Sequence, residues 1–124
     1  MHSIGSADEE HHPYSLVRVH GDTAWCAGVL PYAPDGELVT EPAEAVDAAL
    51  RVLGERLSEA GSSLSEVVKV TVFLADIAWR PHLDAAWLRT WDAPRPARTA
   101  VQVSRLPRDA GIEIEAVAQR SGAS

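Results

Sequence analysis

Arg98 lies in the segment Pro96-Ala97-Arg98-Thr99-Ala100-Val101, and Glu113 in Gly111-Ile112-Glu113-Ile114-Glu115-Ala116, 113 − 98 = 15 residues later. A planar guanidinium donates two parallel hydrogen bonds, which makes arginine a natural fork for a small carboxylate. A glutamate held on a neighbouring strand can take a proton from water. Together the two residues point to hydrolysis of a small anionic molecule. Alone they describe an ion pair, either of Arg98 with Glu113 or of Arg98 with Asp84.

Other chemistries find little support. The histidines are His2, His11, His12, His20 and His82, and no two have the i, i+4 spacing of a helical zinc motif. Cys26 has no nearby ligand partner, so no metal site is expected. It follows Trp25 in an apolar run and reads as a buried small hydrophobe. There is no Gly-rich phosphate loop and no nucleophile elbow. The formal net charge of −7 opposes nucleic-acid binding, which needs a positive field to displace counterions. No apolar stretch reaches the length of a membrane span. The start of the chain lacks the apolar segment of a secretory leader, and a single cysteine fits a reducing cytoplasm.

The elements that must position Arg98 and Glu113 follow from the pattern of the chain. The 124 residues, 46% hydrophobic, make one globular domain over 13–120, with a loose arm over 1–12 and a tail over 121–124. Tyr14–His20 and Thr23–Gly28 flank Gly21-Asp22 and read as a hairpin. A short strand is possible over Glu37–Val39. A helix starts near Pro42, capped by Thr40 or Glu41. Its apolar face is Val46, Ala49, Leu50, Leu53, Leu57 and Ala60, and Gly61 ends it. Val67–Ala75 is a strand apolar on both parities, so both its faces should be covered. A second helix over 80–91 places Leu83, Trp87, Leu88 and Trp91 on one side. Ala97–Leu106 and Ile112–Gln119 are the last strands. The order β-β-α-β-α-β-β is α+β: a mostly antiparallel sheet with two helices on one face. The other face of that sheet calls for a second subunit.

These segments, taken in order, resemble the RidA/YjgF family of imine and enamine deaminases. The matching pieces are His12-Pro13-Tyr14, Ala27-Gly28 with Leu30-Pro31, and Glu59-Ala60-Gly61-Ser62-Ser63-Leu64. They continue through Val67-Val68-Lys69-Val70-Thr71-Val72-Phe73-Leu74 with Asp76, then Pro96-Ala97-Arg98-Thr99, Leu106-Pro107 and Ile112-Glu113-Ile114-Glu115-Ala116. The resemblance spans about Pro13 to Ala118. It implies a chorismate-mutase-like subunit in a homotrimer with sites between subunits. It also implies hydrolysis of 2-imino or enamine acids to 2-keto acids and ammonia, without a cofactor.

By the same resemblance Arg98 clamps the substrate carboxylate, Glu113 positions the water and Tyr14 helps wall the site. The chain departs from the family pattern at four positions. Ala27 stands where a pocket serine is usual, Asp84 where a common subgroup has asparagine, Ala100 where that subgroup has cysteine, and Val29 where glutamine follows the glycine. A carboxylate at Asp84 would partly neutralise Arg98 and repel an anionic substrate. The departures imply a diverged pocket that takes a larger or different substrate. Two other readings are a non-hydrolytic carboxylate-binding or regulatory trimer, and a tailoring enzyme of a specialised biosynthetic pathway. Some relatives are described as endoribonucleases, an activity that the acidic charge of this chain disfavours.

Overall fold

The computed structural model describes residues 12–121. The arm expected over 1–12 and the tail over 121–124 fall, except for His12 and Ser121, outside the described residues.

The hairpin forms from β1 (Val17–His20) and β2 (Thr23–Val29), paired antiparallel with Val17 opposite Cys26. Gly21 turns the chain at φ 60, a left-handed conformation open to glycine without a Cβ clash. β1 begins at Val17 rather than Tyr14. The Ala27 N–H still donates to Leu16 O at 2.9 Å, where the ladder to β1 ends; β2 then bulges across Ala27 and Gly28 against β5 and resumes pairing at Val29 with Ile114.

Helix α1 (Pro42–Glu59) is capped by Glu41, whose Oε1 accepts from the Glu44 N–H at 2.8 Å. Pro42 fills the first turn, where its missing N–H has no partner to lose. Gly61, at φ 79, follows the last turn. Val46, Ala49, Leu50, Leu53 and Leu57 are buried against the sheet. The segment Glu37–Val39 is not a strand. It is an isolated bridge, Tyr32 to Leu38, closed within its own loop by Ala33 N to Glu37 O and Val39 N to Pro31 O.

β3 (Val67–Leu74), α2 (Arg80–Thr90), β4 (Ala97–Gln102) and β5 (Ile112–Gln119) complete the fold. The sheet order is β1-β2-β5-β3-β4, antiparallel throughout except for the parallel pair β3 and β4. β4 ends at Gln102 rather than Leu106. β3 ends at Leu74, whose carbonyl takes the Val103 N–H at 2.9 Å, so there is no strand beyond it to pair with.

The alternation of β3 also differs from the expected one. A bulge between Val67 and Lys69 resets the parity, so Val67, Val70, Val72 and Leu74 all face the helices. Val68, at the bulge, is left 51% exposed. The far face of β3 carries Lys69, Thr71 and Phe73, half-buried, and is mixed rather than wholly apolar. On α2, Leu83, Ala86 and Trp87 pack inward. Leu88 does not share that face, because it lies about 100° around the helix from Trp87, and it is 64% exposed. Trp91, just past the helix, is buried.

Both helices lie on one face of the sheet. The open face shows Trp25, 45% exposed, and Val101, 40% exposed, with Thr71, Phe73 and Val117 between them. No described helix is long and apolar enough to cross a membrane. Cys26 is a small core residue under the helices. Burial pushes its thiol up to about 11, partly offset by the Arg56 charge.

At the head of β5, Gly111 lies against the Trp79 ring, and a Cβ there would come within 2.6 Å of the Trp79 Cζ2. Indole is rigid, so Gly111→Ala should destabilise the fold by about 1–3 kcal/mol through overpacking. Chemical denaturation checks this, and an unchanged midpoint would show that Trp79 yields freely.

Candidate active site

Sequence neighbours on a helix and a sheet edge build one half of the site. Asp84 and Trp87 are one turn apart on α2 and therefore share a face. Arg98 lies on edge strand β4 opposite Val70, a fully buried residue of the helix-covered face, so its side chain runs along that face to α2. Its Nη2 donates to Asp84 Oδ1 at 2.7 Å, and its Cζ sits 5.0 Å from the centroid of the Trp87 ring. Trp87 leans on Trp91, with ring centroids 4.6 Å apart, and the Trp91 Nε1–H donates to Leu64 O at 2.7 Å. The guanidinium is thereby held from two sides before any ligand arrives. These groups line a pocket of ≈ 440 Å³ with Leu88, Arg95 and Pro96.

The second half lies on the other face of the sheet. Glu113 of β5 pairs with Phe73 of β3 and reaches over Gly28 of β2. A Cβ on Gly28 would sit 2.8 Å from the Glu113 carboxyl carbon, so only glycine lets the carboxylate fold across the bulged strand. Burial, and secondly the Glu115 charge on the same face, raise the Glu113 carboxyl above the usual carboxylate range. A raised carboxylate is a stronger base, suited to taking a proton from water. Ala27 belongs to the same bulge. Tyr14 is 55% exposed, on the chain that leaves β1 toward this end of β2.

One chain does not bring Arg98 and Glu113 together. Their strands are not neighbours, because β3 lies between them, and the two residues occupy opposite faces. Two strand spacings and three residues of offset separate their backbones by about 14 Å. The ion pair of the two is thus excluded within a chain, and the pair that forms is Arg98 with Asp84. Ala100 is on the Arg98 side, half-buried against the core. Asp84, Ala100 and Arg98 therefore form one group, Ala27 and Glu113 lie on the other side of the sheet, and Tyr14 precedes β1. The sequence pattern places Trp87 among the packing residues of its helix and gives Gly28 only as part of a matching segment. The signal for Trp87 was its i+3 spacing from Asp84.

The counter-ion at Asp84 is weak. Its side chain is 53% exposed, against 20% for Arg98, and exposed pairs contribute only about 0.2–1 kcal/mol. A ligand carboxylate can therefore compete for the guanidinium.

The raised Glu113 gives a direct test. Glu115→Gln removes a negative charge that disfavours Glu113 ionisation, so the Glu113 midpoint should move down while staying above that of a free carboxylate, since burial persists. Carboxyl NMR titration reads it, and an unmoved midpoint would leave burial as the sole cause.

The family profile described as Endoribonuclease L-PSP matches residues 5–120. The human protein named 2-iminobutanoate/2-iminopropanoate deaminase is 39% identical over 108 residues, covering 86% of this chain and 79% of its own length. The structure of RidA from the Antarctic bacterium Psychrobacter sp. PAMC 21119 superposes with a TM-score of 0.82 at 30% identity, covering 87% of this chain and 89% of that one. The structure of E. coli TdcF with bound serine gives a TM-score of 0.82 at 31% identity, covering 89% and 90%. A profile match over nearly the whole chain and these relatives show that the chain belongs to the Endoribonuclease L-PSP family, the family of RidA and YjgF.

Proposed function

We propose that this chain assembles as a homotrimer and hydrolyses reactive 2-imino or enamine acids to 2-keto acids and ammonia. The observation that carries the proposal is the division of the site: a carboxylate fork on one face and a raised carboxylate on the other. A small substrate can meet both only where two copies join. The exposed Trp25 and Val101 on the open sheet face support that association, since such apolar surface favours a partner. The deaminase name of the human relative and the serine bound to E. coli TdcF support a small amino-acid-like ligand.

In the proposed cleft Arg98 of one copy binds the substrate carboxylate and orients C2. Glu113 of a neighbouring copy takes a proton from water as the water oxygen bonds to C2. The C=N π pair moves to nitrogen and gives a tetrahedral aminoalcohol. Glu113 returns the proton to nitrogen, then takes the hydroxyl proton as the C–N bond breaks, so that ammonia leaves and the oxygen becomes the ketone of the 2-keto acid; that last proton passes to the released ammonia. The substrate iminium is already electrophilic, so orientation supplies most of the catalysis. Tyr14 walls the cleft, and the Ala100 backbone carbonyl helps hold the water. Ala27 offers no hydroxyl, which leaves that corner apolar and favours bulkier imines.

A second reading, carboxylate binding without turnover, draws on the Arg98–Asp84 pair and on the missing hydroxyl at Ala27. A coupled assay that generates 2-aminoacrylate and larger imines separates the two. Acceleration over the protein-free rate is expected, and equal rates across all side-chain sizes would exclude the deaminase. Sedimentation should give the mass of three chains.

Arg98→Ala and Glu113→Gln should each abolish turnover. Mixed and reassembled, the two inactive variants should recover about a quarter of the wild-type rate, because one random pairing in four unites an intact Arg98 with an intact Glu113. No recovery in mixed trimers would place both residues of each site on one chain.

A further inference from the structure

The Arg98 pocket contains more charge than a carboxylate fork requires. Arg95, Arg98 and Asp84 line it together with the apolar Trp87, Leu88 and Pro96. Arg95 is fixed at its stem, where Nε donates to Trp91 O at 3.1 Å. Asp84 Oδ1 accepts from Arg98, and among the described residues no donor reaches its second oxygen. The side chain is 53% exposed and lines the pocket.

A plain carboxylate on Arg98 sets two negative groups on one guanidinium. A ligand with a protonated nitrogen on the carbon next to its carboxylate does not. Its charges then alternate with those of the pocket: guanidinium, ligand carboxylate, ligand nitrogen, Asp84. We propose that Asp84 determines specificity by reading the ligand cation, so that the pocket holds zwitterions in preference to plain carboxylates. The proposal rests on the reading that Arg98 takes the ligand carboxylate.

The selection has a catalytic consequence. Hydrolysis converts C=NH2+ into C=O, so the 2-keto acid product lacks the cation that Asp84 holds. Substrate is retained, while the product sets a carboxylate and a ketone oxygen, and no cation, against the Asp84 charge and leaves. The same negative charge keeps the imine nitrogen protonated, the form whose carbon water attacks.

Alanine and pyruvate share a carbon skeleton and differ at this nitrogen, which makes them the probes. Calorimetric titration of the assembled protein should show L-alanine binding more tightly than pyruvate. Asp84→Asn should shrink that preference by about fivefold, the scale of one partly exposed charge pair. Asp84→Ser should do the same, which guards against an effect of the asparagine amide itself. A preference unchanged in both variants, or a wild-type protein that favours pyruvate or binds neither ligand, would overturn the proposal. The readout needs no turnover. A shifted preference in a protein that deaminates nothing would sustain the role of Asp84 and remove the deaminase.

Discussion

A β-strand sends consecutive side chains to opposite faces, and that alternation decides where each functional group of this chain lies. Arg98 takes the helix-covered face because it pairs with Val70, and Glu113 takes the open face because it pairs with Phe73. Three residues of offset guarantee opposite faces, whatever the side chains do. Two bulges then adjust the pattern locally. The one at Ala27 and Gly28 clears the way for the Glu113 carboxylate, and the one at Val68 returns β3 to the core with its buried residues in place. The chain thus presents two complementary halves that it cannot join by itself.

The two halves are prepared by different physics. Arg98 is held by contacts: a cation over an indole, an ion pair, and an indole ring anchored in turn to the Leu64 carbonyl. Each contact is worth about 1 kcal/mol or less on an exposed surface, so none locks the guanidinium against a ligand. Glu113 is prepared by withdrawal from water and by a like charge at Glu115, with no donor among the described residues to steady its ionised form. One residue is kept in place and the other is kept reactive.

Much of this was legible in the sequence. The helix over Pro42–Glu59 announces itself through its proline, its acidic cap and its three-and-four spacing, all local signals. The sheet order was not legible. That β3 separates β4 from β5 is a consequence of long-range pairing, which no neighbouring residue encodes, and placing Arg98 and Glu113 on adjacent strands was the natural error. Bulges are similarly hidden, because one extra residue changes the face of everything after it. Leu88 was misread for a simpler reason: one apolar residue beside Trp87 does not share its face on a helix. The site residues themselves came from segment order, and Asp84 came from its departure at a position near the arginine, which spacing alone would have left as a surface charge.

The buried thiol of Cys26 sets a limit on the chemistry open to the folded protein. With its ionisation pushed up to about 11 by burial, the thiol stays protonated at neutral pH. The sulfur lies on β2 between the edge strand β1 and the central strand β5, opposite Val17 and Ala116. With Cys26 only 4% exposed, an oxidant or alkylating reagent reaches it faster when the sheet edge opens. The rate at which this single atom is modified becomes a clock for local opening of the sheet edge, supplied by the native sequence without any label.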